Sequence, residues 1–154
     1  MVRAMEIREV MTRSVVTAPA AAPVREVAEL MRERGVGSVV LVGEDGETVA
    51  GLVTDRDLTV GVLADGRDPA EPASEHASAP VIVVAPSDDV TAAAKLMVEH
   101  GIRRVPVLAQ GMLIGIVTLD DLAARTGDSE LAHQLTAQVA RTALPEFYFH
   151  DRGG

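Results

Sequence analysis

The sequence has no cysteine. Disulfides, thiolate metal sites and a cysteine nucleophile are therefore excluded. Tryptophan is also absent, and aromatic residues make up only 2% of the 154 residues. They stand in a single run, Phe147, Tyr148 and Phe149, so the core elsewhere is aliphatic. Positive charge is scarce: Lys95 is the one lysine among 14 basic side chains, and the net charge is −9. That balance argues against a nucleic-acid backbone or an anionic membrane as the main partner. A surplus of this sign also serves solubility alone. No apolar run approaches the roughly 18 residues of a membrane span. Residues 1–10 alternate charge and apolarity and lack the hydrophobic stretch of a signal peptide, so a cytoplasmic location is expected.

What is present is a globular composition, 47% apolar and 24% charged. Its length suits one ordinary domain or two small ones that share a core. The chain also repeats itself. Shifted by 66 positions, residues 11–42 fall on 77–108, with Val15/Val81, Val24/Val90, Ala28/Ala94, Met31/Met97, Gly35/Gly101 and Val39/Val105 identical. Beyond that the shift is 64, and Gly51/Gly115, Val53/Val117, Thr54/Thr118, Asp57/Asp121 and Leu58/Leu122 coincide. The two-residue difference falls where 43–48 faces the shorter 109–111, a turn, which absorbs length changes cheaply.

Each copy reads as strand–helix–strand–strand–helix. Val15–Thr17 and Val81–Val84 are β-branched runs. Val24, Val27, Ala28 and Met31 fall at i, i+3, i+4 and i+7, as do Val90, Ala93, Ala94 and Met97, so each helix buries one stripe. Asp89 closes a Ser-Asp-Asp cap, and Gly35 and Gly101 stand where helices stop. Strands are expected at Ser38–Val42, Val49–Val53, Arg104–Leu108 and Met112–Val117, and second helices from about Asp55 and Leu119. The stretch 65–80 aligns with 4–14, both short lead-in helices, with Ile7, Val10 and Met11 over Ala73, His76 and Ala77. Residues 5–64 and 65–126 are the two copies. Residues 127–154 add a C-terminal helix, striped by Leu131, Leu135 and Val139, and a tail; this segment is expected to help a dimer. The fold class is α+β.

Gly51–Asp57 and Gly115–Asp121 both read Gly-h-h-Thr-x-x-Asp, where h is apolar. With the βαββα order and the run Ile102–Val107, residues 5–126 resemble a tandem pair of cystathionine-β-synthase (CBS) domains, a Bateman module. The resemblance implies two βαββα repeats packed sheet to sheet with pseudo-two-fold symmetry. It also implies a regulatory module that binds an adenosyl ligand (AMP, ADP, ATP or S-adenosylmethionine) in clefts between the copies and pairs into a homodimer. No cofactor is required by it. The expected ligand-binding residues are Thr54, Asp57, Thr118, Asp121, Arg103, Arg104, Val16 and Ile82. The residues themselves suit that chemistry. A carboxylate one turn into a helix can accept from ribose hydroxyls, and the helix N-terminus favours phosphate. Arg103 and Arg104 precede a strand in the second copy and can reach a phosphate. The first copy has Gly37 and Ser38 there, so the two sites differ. Against this, Thr-x-x-Asp is close to the capping box, so Thr54, Asp57, Thr118 and Asp121 can equally well only cap helices. Arg56 is a third cationic candidate, with a solvated helix position as the plainer reading.

Other constellations are weaker. His76, His100, His133 and His150 lack metal-ligand spacing and read as surface or helix-end residues, so no metal site is expected. Gly35-Val-Gly37 follows a helix and lacks the third glycine of a dinucleotide loop. Walker A and nucleophile-elbow motifs are missing. Three functions compete. The first is a ligand-sensing module acting on a partner protein. The second, an enzyme, rests on the likeness of Thr54–Leu58 to a stretch of IMP dehydrogenase, whose barrel needs several hundred residues and a cysteine. The third is a structural homodimer with empty or occluded clefts. Dimerisation would use second-helix residues: Leu58, Val60 and Val62 in one copy, and Leu119, Leu122 and Ala123 in the other.

Overall fold

The computed structural model describes residues 4–79 and 81–125, and positions 133 and 137. The expected C-terminal helix and tail lie outside the described residues, those two positions apart. In chain order the elements are α1 (Ile7–Val10), β1 (Thr17–Pro19), α2 (Val24–Arg34), β2 (Ser38–Val42), β3 (Val49–Thr54) and α3 (Asp55–Leu58). α3 continues as a π-helical turn, Thr59–Ala64. A 3₁₀ turn, Ala73–Glu75, precedes α4 (Val90–His100), β4 (Arg104–Ala109), β5 (Met112–Thr118) and α5 (Leu119–Arg125). The mixture of helices with two sheets is the α+β class that the sequence implies. Among the described residues no helix is long and apolar enough to cross a membrane.

The chain divides into two compact units. The α2 unit is residues 13–83 and 108–115; the α4 unit is residues 1–12, 84–107 and 116–154. In the α2 unit a three-stranded sheet runs β1-β2-β3, with β1 parallel and β3 antiparallel to β2. Its core is aliphatic: Val27, Val39, Leu41 and Val53 are fully buried, with Val24, Met31, Val62 and Ala73 around them. β2 is buried on both faces, from Val39 to Val42, which is why it reads as a continuous apolar run rather than an alternation. In the α4 unit Ala93, Ala94 and Met97 of α4 are buried, with Val105, Val107, Val117, Leu119 and Leu122. Both long helices end as expected. Gly35 and Gly101 are left-handed, at φ 64° and 62°, and the Asp89 carboxylate accepts from Ala92 N–H at 3.3 Å.

Two strand expectations are corrected. β1 begins at Thr17, two residues later than the run Val15–Thr17 suggests, although Val16 C=O still accepts from Val40 N–H at 3.1 Å. Val81–Val84 forms no strand; one parallel bridge, Val84 to Val107, remains. The position equivalent to Val40 is Pro106, which has no N–H for the ladder.

The lead-in segments are exchanged between the copies. In the α4 unit Ile7 N–H donates to Asp88 O (2.9 Å), Arg8 N–H to Pro86 O (3.0 Å), and Val90 N–H to Met5 O (2.9 Å). Thr12 and Ile116 exchange a pair of bonds. In the α2 unit the same bonds recur 66 or 64 positions away. Ala73 N–H donates to Ala22 O (2.8 Å), Ser74 N–H to Ala20 O (3.0 Å), and Val24 N–H to Glu71 O (2.9 Å). Ser78 and Leu52 exchange the matching pair. Ile7, Val10 and Ala73 are thereby buried.

Candidate functional site

Thr54 ends β3 and caps α3. Its hydroxyl accepts from Asp57 N–H at 3.2 Å, and its own N–H donates to Asp57 Oδ2 at 2.8 Å. Thr118 and Asp121 repeat this at the start of α5, at 3.0 Å in both directions. The motif is thus a reciprocal capping box in each copy, with aspartate in place of the usual glutamate. The backbone behind it is equally matched: Asp55 N–H donates to Gly37 O at 3.0 Å, and Leu119 N–H to Arg103 O at 2.9 Å. Capping uses one carboxylate oxygen. Oδ1 of Asp57 and of Asp121 has no hydrogen-bond partner among the described residues. A carboxylate offers about four acceptor sites, so the cap leaves most of that capacity open.

The motif glycine also has a physical role. A Cβ on Gly51 would lie 3.0 Å from Ala77 Cβ and 3.5 Å from Ser78 O, because the exchanged lead-in runs past it.

The remaining expected residues are placed as follows. Arg103 is half exposed, and its Nη2 lies 3.9 Å from Oδ1 of the exposed Asp120. Such a pair is worth about 0–1 kcal/mol, so it does little to hold the guanidinium. Arg104 opens β4, is half-buried, and has no ion pair among the described residues. Val16 packs against the α2-unit core. Ile82 is half-buried in chain that belongs to no strand. Thr54, Asp57, Val16 and Ile82 fall in the α2 unit; Thr118, Asp121, Arg103 and Arg104 fall in the α4 unit. The structure brings Thr54 to Asp57 and Thr118 to Asp121.

One cluster was missed by sequence reasoning. In the α2 unit a cavity of about 440 Å³ is lined by Arg56, Asp57, Asp65, Arg67, Glu75 and His76, among others. At its wall Arg67 Nε lies 3.0 and 3.1 Å from the two oxygens of Glu71. His76 Nε2 lies 2.8 Å from Glu71 Oε2. The Arg67 hydrogen bond, and after it the one from His76, holds the Glu71 carboxyl below the usual glutamate range. His76 does stand at a helix end, but it is not a surface residue: its side chain is only 8% exposed. The available signal was the repeat itself, which sets His76 over Val10, an apolar core position.

Comparison with known proteins agrees with this architecture. The CBS domain family model matches residues 7–63 and 73–126. The chain belongs to the CBS domain family and carries the domain twice, as a tandem Bateman module. Over 134 residues it is 36% identical to the CBS domain-containing protein YhcV of Bacillus subtilis, covering 87% of this chain and 94% of that protein. It is 43% identical over 122 residues to an uncharacterised protein of Methanopyrus kandleri, covering 78% of this chain but only 62% of that protein's length. Among solved structures, a CBS domain protein of Pyrobaculum aerophilum complexed with AMP superposes with a TM-score of 0.75 at 30% identity, covering 86% of this chain and 99% of that one.

Proposed function

We propose that the protein is a non-catalytic regulatory module that binds an adenosyl ligand of the AMP class at its two Thr-x-x-Asp motifs. On this reading it acts on a partner protein in the cytoplasm. The observation that carries it is the duplicated cap. In both copies the fold holds an aspartate rigidly by one oxygen and leaves the other free to accept from a ribose. The AMP complex of the Pyrobaculum aerophilum relative supports the ligand class. Arg103 and Arg104 occur in one copy only, so that copy is the one suited to a phosphorylated ligand. ADP, ATP and S-adenosylmethionine are the other ligands to test.

We also read the protein as a homodimer. Two apolar side chains, Leu63 at 78% and Val60 at 52% exposed, stand uncovered on the π-helical turn. An apolar groove of about 410 Å³ lies beside it, between Val24, Ala28, Leu58, Val62, Leu63 and Pro69. Of the residues expected at the dimer face, Leu119, Leu122 and Val62 are buried, so on this reading the exposed Val60 and Leu63 would carry the contact.

Calorimetry tests the ligand. Saturable binding of AMP is expected, and Asp121→Asn is expected to weaken it about tenfold while keeping the cap, through loss of a charge-assisted bond. Arg103→Ala and Arg104→Ala are expected to weaken AMP more than adenosine. If no adenosyl compound binds at millimolar concentration, the reading fails and a structural dimer replaces it.

A further inference from the structure

Among the described residues, the α2 unit has a cluster of Glu71, Glu75 and His76 that has no counterpart in the α4 unit. Aligned by the repeat, His76 stands over Val10, Glu71 over Met5, and Gly61 over Arg125. Val10 is 1% exposed, so the fold itself asks for an apolar side chain at that position. Arg125 reaches back to donate to Met11 O at 3.3 Å. Gly61 puts no side chain in the equivalent place, and a Cβ there would lie 3.5 Å from His76 Nδ1. A cavity opens in its stead, lined by three carboxylates, Asp57, Asp65 and Glu75, against two guanidiniums, Arg56 and Arg67. One ligand atom from each of Glu71, Glu75 and His76 falls within 4.8 Å of the others. The imidazole is nine-tenths buried and borders the cavity.

We propose that Glu71, Glu75 and His76 form a binding site for a divalent first-row metal ion of the Zn²⁺ type, with water from the cavity completing its coordination. One imidazole nitrogen and two carboxylates are a donor set of intermediate softness, which suits such an ion better than Mg²⁺ or Ca²⁺. Arg67 is the cation that holds the site in its absence. Its Nε lies 3.0 Å from Glu71, its Nη2 lies 3.8 Å from Glu75, and its side chain is half exposed. An exposed guanidinium leaves such partners at small cost. On binding, His76 presents the Nε2 lone pair to the metal and carries its proton on Nδ1, beside Gly61. Arg67 swings to solvent, and two carboxylates exchange one positive partner for a doubly charged one. Metal uptake therefore competes with the Arg67 ion pairs.

The test uses the full chain without an affinity tag. Zn²⁺ titration calorimetry, and the visible absorption of Co²⁺ as a second probe, are expected to report one ion per chain. His76→Val installs the residue of the other copy and so keeps a side chain that the fold accepts. It is expected to weaken binding by about tenfold or more, as is Glu71→Gln. Arg67→Gln is expected to tighten binding, because it removes the competing cation without touching a ligand. His100→Gln, remote in sequence and exposed, is expected to change nothing. The proposal is overturned if wild type and Arg67→Gln both leave millimolar Zn²⁺ unbound, or if His76→Val binds as tightly as wild type. A preference for Mg²⁺ or Ca²⁺ over Zn²⁺ overturns it as well, since those ions do not call on the imidazole.

Discussion

Asp57 and Asp121 each hold one helix start with one oxygen, so substitutions there are expected to read separately on stability and on the proposed binding. Asp121→Ala removes the cap and is expected to cost about 0.5–2 kcal/mol of stability, read as a shift in the urea midpoint. Asp121→Asn keeps an acceptor and is expected to lose much less. Gly51 faces a different constraint, the lead-in that passes 3.0 Å from where its Cβ would stand. Gly51→Val is expected to destabilise by about 1–3 kcal/mol through overpacking, while the φ of the strand stays ordinary. A variant that melts like wild type would show that the lead-in can move aside. Asp45, in the turn between β2 and β3, accepts from the Thr48 hydroxyl and from the N–H groups of Glu47 and Thr48. These bonds lower its carboxyl from 3.8 to about 2, the Thr48 hydroxyl most. A depressed acid stabilises the fold above its ordinary value and ceases to do so as pH falls through the folded value. The turn is therefore expected to loosen between about pH 4 and pH 2. Thr48→Val is expected to move the Asp45 titration, followed by NMR, back toward 3.8.

At the scale of elements, the exchanged lead-ins matter most. α1 belongs to the first copy in sequence but completes the α4 unit, where Ile7 is fully buried. Its counterpart in the α2 unit is only Ala73, also fully buried. The two lead-ins thus bury unequal side chains in equivalent places. Ile7→Ala is expected to cost about 2–5 kcal/mol, a core truncation rather than a change at a chain end. A thermal midpoint unmoved by it would mean that α1 is not docked. The sheets are unequal for a related reason. Val40 gives its N–H to Val16, whereas Pro106 has none to give, so among the described residues β4 pairs in a sheet with β5 alone and meets the preceding segment only in the bridge from Val107 to Val84. The π-helical turn after α3 is wide. It buries Val62 while turning Val60 and Leu63 outward.

For the whole molecule, those outward residues set the expected association. Leu63→Glu with Val60→Glu places two charges on the proposed dimer face and is expected to give monomers in light scattering at micromolar concentration. Both positions are exposed, so the change is expected to leave thermal stability of the fold within about 0.5 kcal/mol. A wild-type protein that is already monomeric would remove the dimer from the proposal and leave the ligand reading intact. Nucleotide binding is expected to raise the thermal midpoint, since a ligand at about 100 times its dissociation constant stabilises by about 2.7 kcal/mol.

Duplication made much of this protein legible in its sequence. Two helices with one apolar stripe each, stopped by Gly35 and Gly101, and the strands from Ser38, Val49, Arg104 and Met112 follow from local periodicity and caps. The α+β class and the CBS pairing follow from the order of those elements and from the doubled Thr-x-x-Asp. What tertiary structure decided lies in contacts between residues far apart in the chain. The same repeat alignment that set Ile7 over Ala73 could not say which unit either one completes. That depends on long-range bonds such as Ile7 to Asp88 and Ala73 to Ala22. Spacing alone placed His76 at a helix end. Only the fold turned its ring inward against Glu71, beside the space that Gly61 leaves open, because burial is a property of the packed neighbours and not of the residue.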